Sequence, residues 1–75
     1  MKKTKFDFSR LRGKIVERFG SCAAFSDVIG FKSSALSSRL NNQTPWKDIE
    51  IFQTCELLGI SFEDIPQYFF TPKFD

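Results

Sequence analysis

The stretch SCAAFSDVIGFKSSALSSRL, residues 21–40, decides how this chain is read. Ser21 is a good helix N-cap, because its hydroxyl can take one of the free amides of a first turn. CAAFSDVI follows as a short helix with Phe25, Val28 and Ile29 expected inward, and Gly30 ends it. After Gly30-Phe31-Lys32 comes a second short helix, SSALSSRL, seated by Ala35, Leu36 and Leu40. Four serines in eight positions are unusual there, since serine hydroxyls compete for nearby backbone groups. Set outward as a row, Ser33, Ser34, Ser37 and Ser38 would face something that reads hydroxyls.

Outward from this pair, the same helical spacing recurs. FDFSRLRGKIVERFG puts Phe8, Leu11, Ile15 and Phe19 on one face, with Asp7 as expected N-cap and Gly20 past the C-terminus. NNQTP is a loop of turn formers. WKDIEIFQTCELL places Ile51, Cys55 and Leu58 on one face with Phe52 alongside, Gly59 closing it and Ile60 set for the apolar contact of a Schellman end. SFED reads as a capping box, Ser61 with Asp64, opening a last short helix toward Pro66-Gln67. The tail YFFTPKFD is expected to be extended. No stretch alternates with period two, so the expected fold is all-α: five short helices in one domain over 1–75, with at most a short strand in the tail. A basic arm at 1–6 and an aromatic tail at 67–75 flank it.

Composition narrows the function classes. Seventy-five residues with ten phenylalanines fit a small domain that needs a dense core. No apolar run approaches a membrane span, and MKKTKFDFSR lacks the apolar centre of a secretory signal. Cys22 and Cys55 read as reduced thiols, which suits a cytoplasmic protein better than a disulfide scaffold. There is no histidine, no zinc spacing and no glycine-rich phosphate loop. No catalytic residue, metal, cofactor or small-molecule substrate is therefore expected.

Charge is divided unevenly. Residues 1–40 hold nine Lys/Arg against three acids, for +6, and residues 41–75 hold two Lys against six acids, for −4. A basic half is the footprint of a polyanion partner, and it is equally what a solvated surface would carry. The arm Met1-Lys2-Lys3-Thr4-Lys5 could lie along DNA or be a solvated terminus. Arg10, Arg12, Lys14 and Arg18 read as solvated charge opposite the apolar stripe of the first helix. Trp46 reads either as a lid on the core or as an interface anchor. Tyr68, Phe69, Phe70 and Phe74 either fold back on the helices or meet a partner.

Two short helices joined by a three-residue glycine turn form a helix-turn-helix unit, whose second helix enters the DNA major groove. Serine can meet base edges and phosphates but lacks the two-point grip of Arg or Gln, so modest discrimination is expected. The segment from Ser21 to Asn42 resembles the helix-turn-helix of phage repressors and Cro proteins. Its flanks, FDFSRLRGKIVERFG and ELLGISFEDIPQYFFTPK, are similar to small Cro-like proteins of phages of Gram-positive hosts, a group that includes modulators of repression. The resemblance implies a lambda-repressor-like domain, base contacts at Ser33, Ser34, Ser37 and Ser38, and phosphate contacts at Ser21, Cys22 and Asn41 to Thr44, including Asn42. Lys32 and Arg39 join the phosphate set as cations of the second helix. Cys22, Ser26 and Lys32 stand where such proteins often carry Gln, Ala and a Ser or Thr cap, and these departures raise the standing of a repressor-binding reading. The expectation is a phage transcriptional regulator, a homodimer on double-stranded DNA with half-sites about 34 Å apart. The rival is an antirepressor that binds the DNA-binding domain of the cognate phage repressor.

Overall fold

Helix α1, Ser9–Phe19, is built on the stripe Phe8, Leu11, Ile15 and Phe19, and Leu11 and Ile15 are completely buried. The computed structural model describes residues 5–73; Met1 to Thr4 of the basic arm, and Phe74 of the tail, lie outside the described residues. The N-cap of α1 is Phe8, not Asp7. Asp7 acts one step further out: its Oδ1 accepts from the Ser9 amide at 2.9 Å and the Ser9 hydroxyl at 2.6 Å, an Asx-type turn. Those bonds hold the Asp7 carboxyl below the usual carboxylate range.

Helices α2, Cys22–Ile29, and α3, Ser33–Leu40, have the bounds expected from the sequence. In α2 the buried seam is Cys22, Phe25, Ser26 and Ile29, an i, i+3, i+4, i+7 stripe. Val28, expected inward, falls off that stripe and is 56% exposed, while Ser26 fills the seam. Gly30 turns the chain at φ 87°, where an L side chain would be strained.

Helix α4, Asp48–Leu58, begins two residues after Trp46, because the Glu50 carboxylate reaches back to accept the Lys47 amide at 2.9 Å. Its seam is Ile51, Thr54, Cys55 and Leu58. Phe52, expected beside Ile51, is 41% exposed, and Thr54 takes the inward place. Gly59 at φ 70° and the Ile60 amide, bonded to the Cys55 carbonyl at 2.9 Å, close α4 as a Schellman end with Ile60 buried. The capping box expected at Ser61 is absent. Its backbone forms a 3₁₀ turn, Phe62–Asp64, and the Ser61 hydroxyl donates to the Asp64 carboxylate at 3.2 Å.

Helix α5, Ile65–Phe69, claims Tyr68 and Phe69, both expected in an extended tail. Phe69 is 1% exposed and lies in the core with Phe8, Leu11, Phe25, Leu36 and Leu58. The chain after α5 returns along the N-terminal segment through one antiparallel bridge, Phe6 to Pro72, flanked by Asp7 N–Thr71 O at 2.8 Å and Lys73 N–Lys5 O at 2.9 Å. No longer strand forms among the described residues, so the expected five-helix, all-α architecture is the one observed. None of the helices described is long and apolar enough to cross a membrane.

Candidate functional site

The site grows from the α2–turn–α3 pair. Ser21 Oγ accepts the Ala24 amide at 3.1 Å and fixes the start of α2. The amides of Gly30 and Phe31 both bond to the Ser26 carbonyl, at 2.9 and 3.0 Å, so the turn is tight and α3 leaves it in one direction. Leu36 and Leu40 are buried and seat α3 on the core. That seating leaves Ser34 and Ser37 exposed and Ser38 half-buried, with Ser33 at the first position of the helix. Asn41 continues the exposed row and its Nδ2 donates to Ser37 Oγ at 3.3 Å. Lys32 stands exposed at the N-cap position.

Two residues of the expected phosphate set are engaged inside the protein. Arg39 donates through Nε and Nη2 to both Glu50 oxygens, at 2.9 and 2.8 Å, and through Nη1 to the Ala35 carbonyl at 2.9 Å. Its guanidinium also lies 4.5 Å from the centre of the Phe31 ring, and both side chains of the ion pair are only 12% exposed. The Arg39 hydrogen bonds hold the Glu50 carboxyl below the usual range against the opposing effect of burial. Asn42, at φ 63°, pairs with the backbone of Phe6: its Oδ1 accepts the Phe6 amide and its Nδ2 donates to the Phe6 carbonyl, both at 2.9 Å. These ties hold both side chains within the domain. Cys22 is half-buried against the core and Thr44 is half-buried, while Ser21 is exposed.

The outer row of α3 is thus neutral and short-armed. A different cluster supplies cations. Lys5, Arg12 and Lys73 line a cleft of about 240 Å³ together with Asp7, Asn41 and Asn42, at the C-terminal end of α3. From the sequence, Lys5 belongs to an arm that lies along DNA or is a solvated terminus, Arg12 is solvated charge, and Lys73 has no expected role. The bridge between the two chain ends gathers them, which no local pattern signals. The other α1 arginines have internal neighbours. Arg10 donates to Gln67 at 2.9 Å, and the Arg18 guanidinium lies against Gly59.

Trp46 packs as a lid, with ring centres 5.1 Å from Phe69, 6.2 Å from Phe31 and 6.4 Å from Phe8. Phe70 is 48% exposed and meets Phe6 edge-on at 5.7 Å. Tyr68 is half-buried and packs on the core. Both cysteines are free thiols, and burial pushes the Cys55 thiol upward. No group of three His, Cys, Asp or Glu that could hold a metal ion gathers among the described residues.

Five short helices, with the exposed polar residues of α3 following a glycine turn, define a small all-helical domain. The chain is similar to the modulator of repression (MOR) of the temperate bacteriophage TP901-1 from Lactococcus lactis, whose solution structure it matches with a TM-score of 0.78 and 38% identity. The match covers 87% of this chain and 88% of that one, which makes this a phage-regulator-like protein. The chain belongs to the family described as protein of unknown function (DUF739), which matches residues 4–72. No curated protein matches it.

Proposed function

We propose that this chain modulates repression in a phage by binding the phage's own repressor protein. The observation that carries the reading is the similarity, over 87% of the chain, to a modulator of repression. The geometry of α3 supports it. A helix that reads operators strongly presents long, two-point donors to base edges. Here the outer row is Ser34, Ser37 and Asn41, and the helix's arginine is turned onto Glu50. The protein would then act by occupancy alone, with no catalytic step, cofactor or metal.

A second reading, direct binding to operator DNA, rests on one specific observation: the Lys5, Arg12 and Lys73 cleft beside the end of α3. Such cations could neutralise phosphates flanking a groove that holds α3. A mobility-shift assay on the phage switch region, run with and without the full-length repressor, separates the two. The repressor-binding reading expects no shift by this chain alone and loss of the repressor's shift when the chain is added. A shift by the chain alone that weakens in Ser34→Ala and Arg12→Ala overturns it in favour of the second reading.

A further inference from the structure

Among the exposed large apolar side chains, which also include Val16 and Phe70, four belong to α2, α4 and the 3₁₀ turn: Val28 at 56%, Ile49 at 55%, Phe52 at 41% and Phe62 at 68%. They are not scattered. Phe52 and Phe62 stack with ring centres 5.9 Å apart, joining the outer face of α4 to the 3₁₀ turn. Ile49, Phe52, Gln53 and Glu56 share that outer face, at spacings of three and four, opposite the buried seam. On its other flank a shallow groove of about 370 Å³ runs between α4 and α2, lined by Val28, Ile29, Gln53, Glu56 and Leu57. Apolar side chains therefore flank the outer face of α4 on both sides, Val28 and Leu57 on one and Phe52 and Phe62 on the other, with Gln53 and Glu56 between them. Exposed apolar surface that is contiguous and rimmed by charge marks a partner site.

The charges around it choose the partner. Glu56 stands on the face itself, and Asp48 and Glu63 are exposed next in sequence to Ile49 and Phe62. The cations nearest in sequence or space are Lys47, before α4, and Arg18, against Gly59 at its far end. An acidic rim disfavours a second copy packed on the same face, because like charges would meet across a two-fold interface. It also disfavours a nucleic acid. It complements a basic protein surface, and the DNA-binding face of a repressor must be basic to hold phosphates. We infer that the α2–α4–3₁₀ face, centred on Phe52, Glu56 and Phe62, is the surface that docks the repressor, and that it covers the repressor's own DNA-contacting side. This inference rests on the proposed function and gives it a location away from α3.

The test is calorimetric titration of the phage's full-length repressor with the full chain and its variants. Phe52→Ser, Phe62→Ser and Glu56→Lys change exposed side chains, so thermal melts should confirm that each variant folds. Each is expected to weaken binding, Phe52→Ser by about thirtyfold, the loss of a hot-spot side chain. Ser34→Ala and Ser37→Ala should leave binding unchanged, and operator DNA should compete with the chain for the repressor. If the wild-type chain binds the repressor and all three face variants bind as well as it does, the inference fails while the proposed function stands. Loss of binding in the α3 variants instead would also overturn it. If the wild-type chain does not bind the repressor, both fail. Sedimentation of the chain alone completes the test. A wild-type dimer that the face variants convert to a monomer would assign this surface to self-association and overturn the inference.

Discussion

Replacing Arg39 by alanine tests whether this side chain belongs to the fold or to a ligand. The Arg39–Glu50 pair makes two parallel hydrogen bonds, at 2.9 and 2.8 Å, with both side chains 12% exposed. At an effective dielectric of about 20, unit charges about 4 Å apart attract by about 4 kcal/mol, and desolvation opposes that gain. Removing one partner of a buried pair costs about 3–5 kcal/mol, because the other charge is left without compensation. Some water reaches this pair, so the lower end applies: about 3 kcal/mol for Arg39→Ala, including the lost contact with Phe31. Glu50→Gln keeps an acceptor for the Lys47 amide and should cost about 2 kcal/mol. A domain of this size has about 4–11 kcal/mol in all, so Arg39→Ala removes a large share.

The assay is a double-mutant cycle of Arg39→Ala and Glu50→Gln by urea unfolding, with thermal melts beside it. The expected coupling is about 2 kcal/mol, above the 0.2–1 kcal/mol of exposed pairs. The melting temperature of Arg39→Ala should drop by about 12–24 °C. Acid titration adds an independent check. The Glu50 carboxyl is lowered in the folded state by its bonds to Arg39, so its stabilisation is present above the ordinary glutamate range. That contribution is lost as pH falls through the lowered folded value, and Arg39→Ala should lose the acid dependence in this window. A coupling below about 0.5 kcal/mol, or an Arg39→Ala melt within about 3 °C of wild type, would refute the reasoning and return Arg39 to the surface.

Three further outcomes are expected. Thr54 is fully buried and its hydroxyl has no hydrogen-bond partner, so Thr54→Val should raise stability by about 1 kcal/mol in urea unfolding; a fall would contradict the packing. Asn42→Ala removes both bonds to Phe6 and leaves alanine in the left-handed region; it should cost about 2 kcal/mol and strip protection from the Phe6 amide in hydrogen exchange. Thiol titration with an aromatic disulfide at neutral pH should modify Cys22 in the native protein and Cys55 only after unfolding, since Cys55 is 4% exposed and burial disfavours its thiolate.

The helices were legible because glycines and caps punctuate them: α2 and α3 fall on the bounds that Ser21, Gly30 and the NNQTP loop imply. What was not legible was which residues fill the seams. Reading inward faces by hydrophobicity put Val28 and Phe52 in the core. The structure puts Ser26 and Thr54 there, because the seam follows helical position and a small hydroxyl fits where helices approach closely. The internal partners of Arg39 and Asn42 were hidden for a related reason. Their position at the end of α3 is local information, while their partners, Glu50 and the Phe6 backbone, come from 11 and 36 residues away. The Lys5, Arg12 and Lys73 cleft was hidden because it needs both chain ends side by side. The exposure of Ser34 and Ser37 is what periodicity alone located.

The same corrections explain how one small domain can carry a charge divided so unevenly. Val28 and Phe52 are outside because the seams of α2 and α4 are filled without them, and their displacement creates an apolar surface that the core does not need. Glu56 stands on that surface with Asp48 and Glu63 next to its apolar residues in sequence, while Lys5, Arg12 and Lys73 gather in the cleft between the two terminal segments. Raising salt would weaken either kind of association, so salt dependence alone separates nothing. The faces do separate the readings, because they lie on different elements. DNA binding must fail when Arg12 or Lys73 is neutralised and survive Glu56→Lys, whereas repressor binding must fail with Glu56→Lys and survive the loss of those cations. A regulator that opposes a DNA-binding protein has to present to it what DNA presents, negative charge around a surface that can be desolvated, and the outer face of α4 meets that requirement where α3 does not.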